Sequence, residues 1–307
     1  SVKLRIELKS TATPDVVLND VKTAVESINS FPKNIDAPII QKDEILNLAV
    51  TIGISSNELP LTAIKDIADQ YQSPYAMHLG ALKNESAAIE RIFGCSSIAR
   101  VEKLGWLSDR LMTVHTAYGT AGELARLNEA GVNICHAPAH YGILGEKTLS
   151  ETGHFAQMLK DGLPLSTSTD GDINYTGGMP EALRAVHLNN NEVGNCNTTC
   201  PPTKALLTGT QYAAKALGWQ DSLGSITEGK QADLVMINID DWRYKTSNHP
   251  LRTFLLTGNS NEVNDVFVAG EWLVKDGRST RFNESQLFND YIAAANSARS
   301  RIKPPGQ

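Results

Sequence analysis

The chain has 307 residues, 41% hydrophobic and 20% charged, with a formal net charge of −6. This is ordinary globular composition, enough for one large domain or two smaller ones, and the scattered Lys and Arg favour neither a nucleic-acid nor a membrane partner. No apolar run approaches the ~18 residues that span a bilayer. The four cysteines (Cys95, Cys135, Cys196 and Cys200) make no zinc-finger pattern, which reads as reduced thiols in a cytoplasmic protein.

The first strand expected is Val2–Leu8, followed by a helix opening at Thr13-Pro14-Asp15 with Val17, Val21, Val25 and Ile28 on one face. Further strands are expected at Leu48–Ile54, Tyr75–Gly80, Leu111–Ala117 and Val132–Pro138, and a sixth at "LPLSTSTDG". Helices are expected between them, near Leu61–Tyr71, Glu85–Phe93, "GELARLNEAG" and Leu149–Lys160, and another starts at Pro180-Glu181. Six βα units in series, several with strands apolar on successive residues, predict a parallel sheet covered by helices. After a helix at about Pro202–Leu217 the texture changes. Ala232–Ile239 and Asp265–Arg278 read as strands of a small antiparallel element, the second a hairpin turning at Ala269-Gly270-Glu271. A boundary falls near Gly218–Gly224, dividing a domain over 1–218 from a β-rich segment and tail over 219–307.

His78, His115, His136 and Asp170 stand at or near the C-terminal ends of four consecutive expected strands. In a parallel barrel those ends converge on one rim. Imidazole nitrogens and a carboxylate oxygen suit zinc, and a further histidine could orient or polarise a bound hydroxide. One strand-end histidine is more often structural. Four in register are harder to dismiss. His140, His154, His187 and His249 lack that placement and read by default as solvated or locally bonded.

The run "HLGALKNE…VHTAYGT…NICHAPAH…STSTDGD", with "ALGWQDSLGSITEGKQADLV" and "VFVAGEWLVKDGR" after it, resembles the amidohydrolase superfamily. Within it, the chain is similar to the branch of triazine hydrolases and guanine, cytosine and adenosylhomocysteine deaminases. The resemblance covers about Leu48 to Arg278 and implies an α/β fold, a (β/α)8 TIM-type barrel with a small C-terminal β-sandwich segment. It implies one divalent metal, zinc or iron, with His78, His115 and Asp170 as ligands. It casts His136 as the residue that assists the hydroxide and Asp170 as the base that shuttles its proton, with Gly171 turning the loop away. The implied activity is metal-hydroxide attack on a C–N or C–halogen bond of a small heterocyclic compound. A homodimer is expected by the same analogy.

The sequence departs from that pattern in three places. No His-x-His pair of a first barrel strand occurs, so strands three to eight are the ones expected here, and the first two are missing. A fragment or truncated product accounts for this best; a second chain supplying the part, or a shifted strand count, are the other accounts. Ala81 stands where the deaminases carry a glutamate three residues after the fifth-strand histidine, which argues against a purine or pyrimidine deaminase. Glu85, one turn on, reads as a helix-dipole or solvent-facing residue. "HAPAHY" replaces the family's "HCPxSN", leaving His140, Tyr141 or Glu146 as substrate-binding proton donors. The competing reading is a non-catalytic or truncated homologue acting as scaffold or binding protein. A Cys135–His136 nucleophile–base pair is disfavoured, since adjacent strand residues point to opposite faces.

Overall fold

A computed structural model of the chain describes residues 2–4, 14–26, 39–44, 50–56, 61–144, 148–170 and 178–301. It divides into two compact units, Ser1–Gly224 and Ser225–Gln307. Residues 219–224 stay with the first unit because the Trp219 amide donates to the Ala214 carbonyl. Gly224, at φ +88, packs so close that a Cβ there would lie 2.7 Å from Ala214 Cβ.

The first unit opens with β1 (Val2–Leu4), α1 (Pro14–Glu26), β2 (Ile39–Glu44) and β3 (Val50–Ser56). Val17 and Val21 of the expected helix face are buried. The strands, however, form an antiparallel sheet in the order β1-β3-β2. This corrects the expectation of parallel strands at Val2–Leu8 and Leu48–Ile54. The link from Glu44 to Val50 is too short for the crossover of about a dozen residues that parallel pairing needs, so only an antiparallel pair can close. The strand β2 itself was not expected, because "IIQKDE" ends in three charged residues that are poor strand formers.

The next elements are α2 (Leu61–Gln70), β4 (Tyr75–Leu79), α3 (Lys83–Phe93), α4 (Ser97–Lys103), β5 (Leu111–His115), α5 (Ala121–Glu129) and β6 (Asn133–His136). Then come α6 (Pro138–Leu144), α7 (Thr148–Thr152), α8 (His154–Lys160), β7 (Leu165–Thr167), α9 (Met179–Val193), α10 (Pro202–Thr208) and α11 (Gln211–Ala216). Strands β4 to β7 lie side by side, all parallel, in chain order. They are the βα units expected to carry the site, and among the described residues they form an arc rather than a closed barrel. Leu111, Leu165, Leu127 and Leu159 are fully buried between strands and helices, each contributing about 1.5–3 kcal/mol of apolar burial. The expected helix over Leu149–Lys160 is split by Gly153, whose φ of +68 is outside the helical region. The helix expected over Pro202–Leu217 likewise breaks at Gly209-Thr210.

The second unit contains β8 (Leu234–Ile237), α12 (Trp242–Lys245), α13 (Pro250–Thr257), β9 (Val263–Val268), β10 (Glu271–Lys275), β11 (Arg278–Ser279) and α14 (Glu284–Arg301). Its four strands make an antiparallel sheet in the order β11-β10-β9-β8. The β9–β10 hairpin turns at Ala269 and Gly270, with φ of +51 and +82, the positive pair that a two-residue turn needs to match strand twist. No helix among the described residues is long and apolar enough to cross a membrane.

Candidate metal centre

Parallel register brings the strand ends together: His78 of β4 stands opposite Val114, next to the Leu79–His115 pair. On β4 the side chains of Tyr75 and Leu79 are buried while Ala76 and His78 are exposed. This alternation sends His78 to the face away from the helices. On β5 burial alternates through to His115, which is buried. Its φ is +70 and that of Thr116 is +53, so the chain leaves β5 in the left-handed region and the ring turns toward His78. The two rings meet at 5.2 Å between centroids.

Asp170 follows β7 and also has a left-handed backbone, with φ +62. Its amide donates to Ser168 Oγ at 2.9 Å, and the Ser168 amide donates to the His136 carbonyl at 3.0 Å. Asp170 is itself in the left-handed region; Gly171, expected to let the loop turn away from the rim, lies outside the described residues. Non-glycine residues rarely adopt this conformation, and about 1–3 kcal/mol of strain at such positions is characteristic of functional sites.

These turns gather His78, His115 and Asp170 so that one donor atom from each lies within 4.8 Å of the others. His115 Nε2 is 3.8 Å from Asp170 Oδ2. The set suits a divalent metal by its chemistry, since two imidazoles and a carboxylate are the three-ligand complement of a catalytic zinc site. His136 is 0% exposed, stacks on Phe155 at 4.7 Å, and among the described residues neither of its ring nitrogens has a hydrogen-bond partner. Burial, reinforced by His115, lowers its pKa to about 3, so the ring is neutral at physiological pH. A buried histidine with two open nitrogens is anomalous in a protein interior, and a site that takes a further group beside it resolves the anomaly.

The "HAPAHY" segment closes on this cluster. His140 Nε2 lies 3.2 Å from Asp170 Oδ2. Tyr141 is buried, and its hydroxyl is 2.9 Å from His115 Nδ1 and accepts from the Ala137 amide at 3.3 Å. Glu146 lies outside the described residues. Glu85 is neither in the cluster nor simply solvated: its two carboxylate oxygens accept the Gly80 and Ala81 amides, each at 2.9 Å. It sits at the third helical position of α3 and closes the helix start, a signal readable in its spacing. Of the other histidines, His154 Nδ1 bonds the Ala117 carbonyl and His187 Nδ1 that of Cys200, while His249 is exposed. Cys135 is buried, and burial pushes its thiol up, away from the thiolate a nucleophile requires.

Residues 18–273 match the amidohydrolase family. The chain belongs to that family. It is 28% identical over 237 residues to an 8-oxoguanine deaminase of Pseudomonas aeruginosa, covering 76% of this chain and 51% of the relative. It is also 28% identical over 247 residues to a 5-methylthioadenosine/S-adenosylhomocysteine deaminase of Teredinibacter turnerae, covering 80% and 54%. Among solved structures, an adenosine deaminase from Xanthomonas campestris with bound zinc superposes with a TM-score of 0.72 at 25% identity, over 78% of this chain and 54% of that one. Atrazine chlorohydrolase TrzN from Arthrobacter aurescens TC1, complexed with zinc, superposes at 0.67 with 21% identity, over 76% and 51%, and shows the shared fold. The chain spans about half the length of the curated relatives it matches.

Proposed function

We propose that the protein this chain represents is a metal-dependent hydrolase that cleaves a C–N or C–halogen bond of a small heterocyclic compound. The observation that carries the reading is the convergence of His78, His115 and Asp170 within 4.8 Å, beside the buried and neutral His136. The names of the relatives support that substrate class: deaminases of purine compounds and a chlorohydrolase of a triazine.

His78, His115 and Asp170 would hold one divalent metal, zinc being the ion named in both related structures, and when bound it would supply an activated water and Lewis-acid polarisation. Asp170 is the base in this reading. Its carboxylate takes a proton from the attacking water and returns it to the leaving group. His136 remains an uncharged imidazole, so it steadies developing charge by hydrogen bonding and does not compete for the proton. Cytoplasmic location and homodimeric assembly belong to the same proposal; all four cysteines being free thiols supports the first.

One observation favours the second reading, a homologue that binds without catalysis. Glu85 does not replace the carboxylate absent at Ala81, since both its oxygens are taken by backbone amides. Metal content decides first. About one zinc or iron per chain, by elemental analysis of protein purified without chelators, is the expected result, followed by release of ammonia or chloride from triazines or aminopurines. No metal after reconstitution would leave the binding-protein reading in place.

A further inference from the structure

We propose that His140 and Tyr141, consecutive residues of α6, are positioning residues that hold the two ligands His115 and Asp170 in their metal-binding orientation. The inference rests on the metal-hydrolase reading and assigns a role to the segment that departs most from the family pattern.

His140 Nε2 lies 3.2 Å from Asp170 Oδ2, an ion-pair contact with an oxygen that only accepts when ionised, so the tie operates through a proton on that nitrogen. For His115 to offer Nε2 as a ligand on the Asp170 side, its Nδ1 must carry the proton. Tyr141 Oη, 2.9 Å away, is the acceptor placed to receive it. The Ala137 amide, donating to the same oxygen, holds the hydroxyl where it is.

Both side chains are themselves constrained. The Tyr141 ring lies 13° from parallel to Phe155, meets the His115 ring at 5.5 Å, and is 2% exposed, so it cannot swing out to solvent. The His140 amide is tied to the Ala137 carbonyl at 3.0 Å, and its Nδ1 is buried without a partner. Leaving that nitrogen unpaired is a cost of keeping Nε2 on Asp170. Neighbouring residues on one helix thus serve different ligands, and both ties stand on Ala137. His78, by contrast, has no such support among the described residues. The consequence is an arc whose His115–Asp170 half is set before any metal arrives.

The test is zinc affinity of the full chain, stripped with a chelator and titrated with Zn²⁺ against a chromophoric competitor. His140→Ala and Tyr141→Phe should each raise the zinc Kd about 10–100-fold, the usual effect of removing a ligand's outer partner. His140→Gln, which keeps an N–H donor at similar reach, should recover most of the loss, a rescue that a purely space-filling role would not produce. The visible spectrum of the Co²⁺-loaded protein should shift in His140→Ala and return in His140→Gln. Tyr141→Phe removes one oxygen and keeps both ring contacts, so it remains informative if His140→Ala fails to fold. Wild-type affinity in both Tyr141→Phe and His140→Ala overturns the positioning role and leaves the hydrolase reading standing. Absence of zinc binding by the unaltered chain overturns that reading, and the role of the pair falls with it.

Discussion

The two ends of the candidate site are supported very differently. His115 is 7% exposed, its Nδ1 sits on Tyr141, and its neighbour Asp170 is held by Ser168 and His140. His78 stands exposed on β4, one of the two edge strands of the parallel sheet, and among the described residues its ring meets that of His115 without a hydrogen bond. One half is set by a connected network in low dielectric. The other is set by strand geometry and, just beyond it, by Glu85 on the Gly80 and Ala81 amides. Precision at a metal site therefore comes from different sources on its two sides: cross-element hydrogen bonds toward β6 and β7, and backbone register toward β4.

The largest expected contrast is in acid. His136, on the supported side, has a pKa lowered to about 3 by burial, whereas an unfolded histidine titrates near 6.5. Between these values the unfolded chain binds the extra proton, so stability is intact above about pH 6.5 and is lost progressively as pH falls toward 3. The full loss is on the order of 5 kcal/mol. Chemical denaturation from pH 7 to 4 should show this slope in the wild type and a shallower one in His136→Asn; parallel slopes would remove His136 as the cause. Next in size is the core under the same half. Leu165→Ala on β7, where the side chain is fully buried, should cost about 2–5 kcal/mol. Substituting Ser for the exposed Ala76 on β4 should stay within about 0.5 kcal/mol, both read from urea midpoints.

Substituting the ligands themselves sharpens the comparison. His78→Ala and His115→Ala should both abolish metal retention, since each removes one of three donors. Their effects on the metal-free fold should separate. His115→Ala removes one of the partners of the buried Tyr141 hydroxyl, which keeps the Ala137 amide, at a cost of about 1 kcal/mol. His78→Ala removes an exposed ring and should leave the melting temperature of the stripped protein unchanged. Equal destabilisation would show that β4 is more tightly built into the site than its exposure indicates.

The strand-end positions of His78, His115, His136 and Asp170 were legible because parallel βα order converts sequence spacing into a common rim. The ties between them were not. Whether Tyr141 reaches His115 depends on the path of the chain after β6, which apolar periodicity does not encode. Two supports did leave a signal: Ser168 two residues before Asp170 is an ST-turn pattern, and Glu85 at the third position of α3 is a helix-start pattern. The antiparallel β1-β3-β2 sheet was missed for another reason. Its strands resemble those of a βα series one at a time, and only the short Glu44–Val50 link and the weakly apolar β2 distinguish them.

The smallest effect expected concerns how each strand ends. Gly80, after β4, makes its turn at φ +58 without steric cost, whereas β5 and β7 use His115, Thr116 and Asp170 in the same region. A Cβ at Gly80 would meet nothing nearer than 3.8 Å, so Gly80→Ala tests left-handed strain separately from crowding. The expected loss is about 1–2 kcal/mol. The turn should nevertheless keep its path, because Glu85 accepts both the residue 80 and residue 81 amides, leaving His78 in place. Stability should therefore fall while zinc affinity stays at the wild-type value. If affinity falls as well, the β4 end is held by the conformational freedom of its glycine rather than by Glu85, and the looser half of the site depends on a single turn.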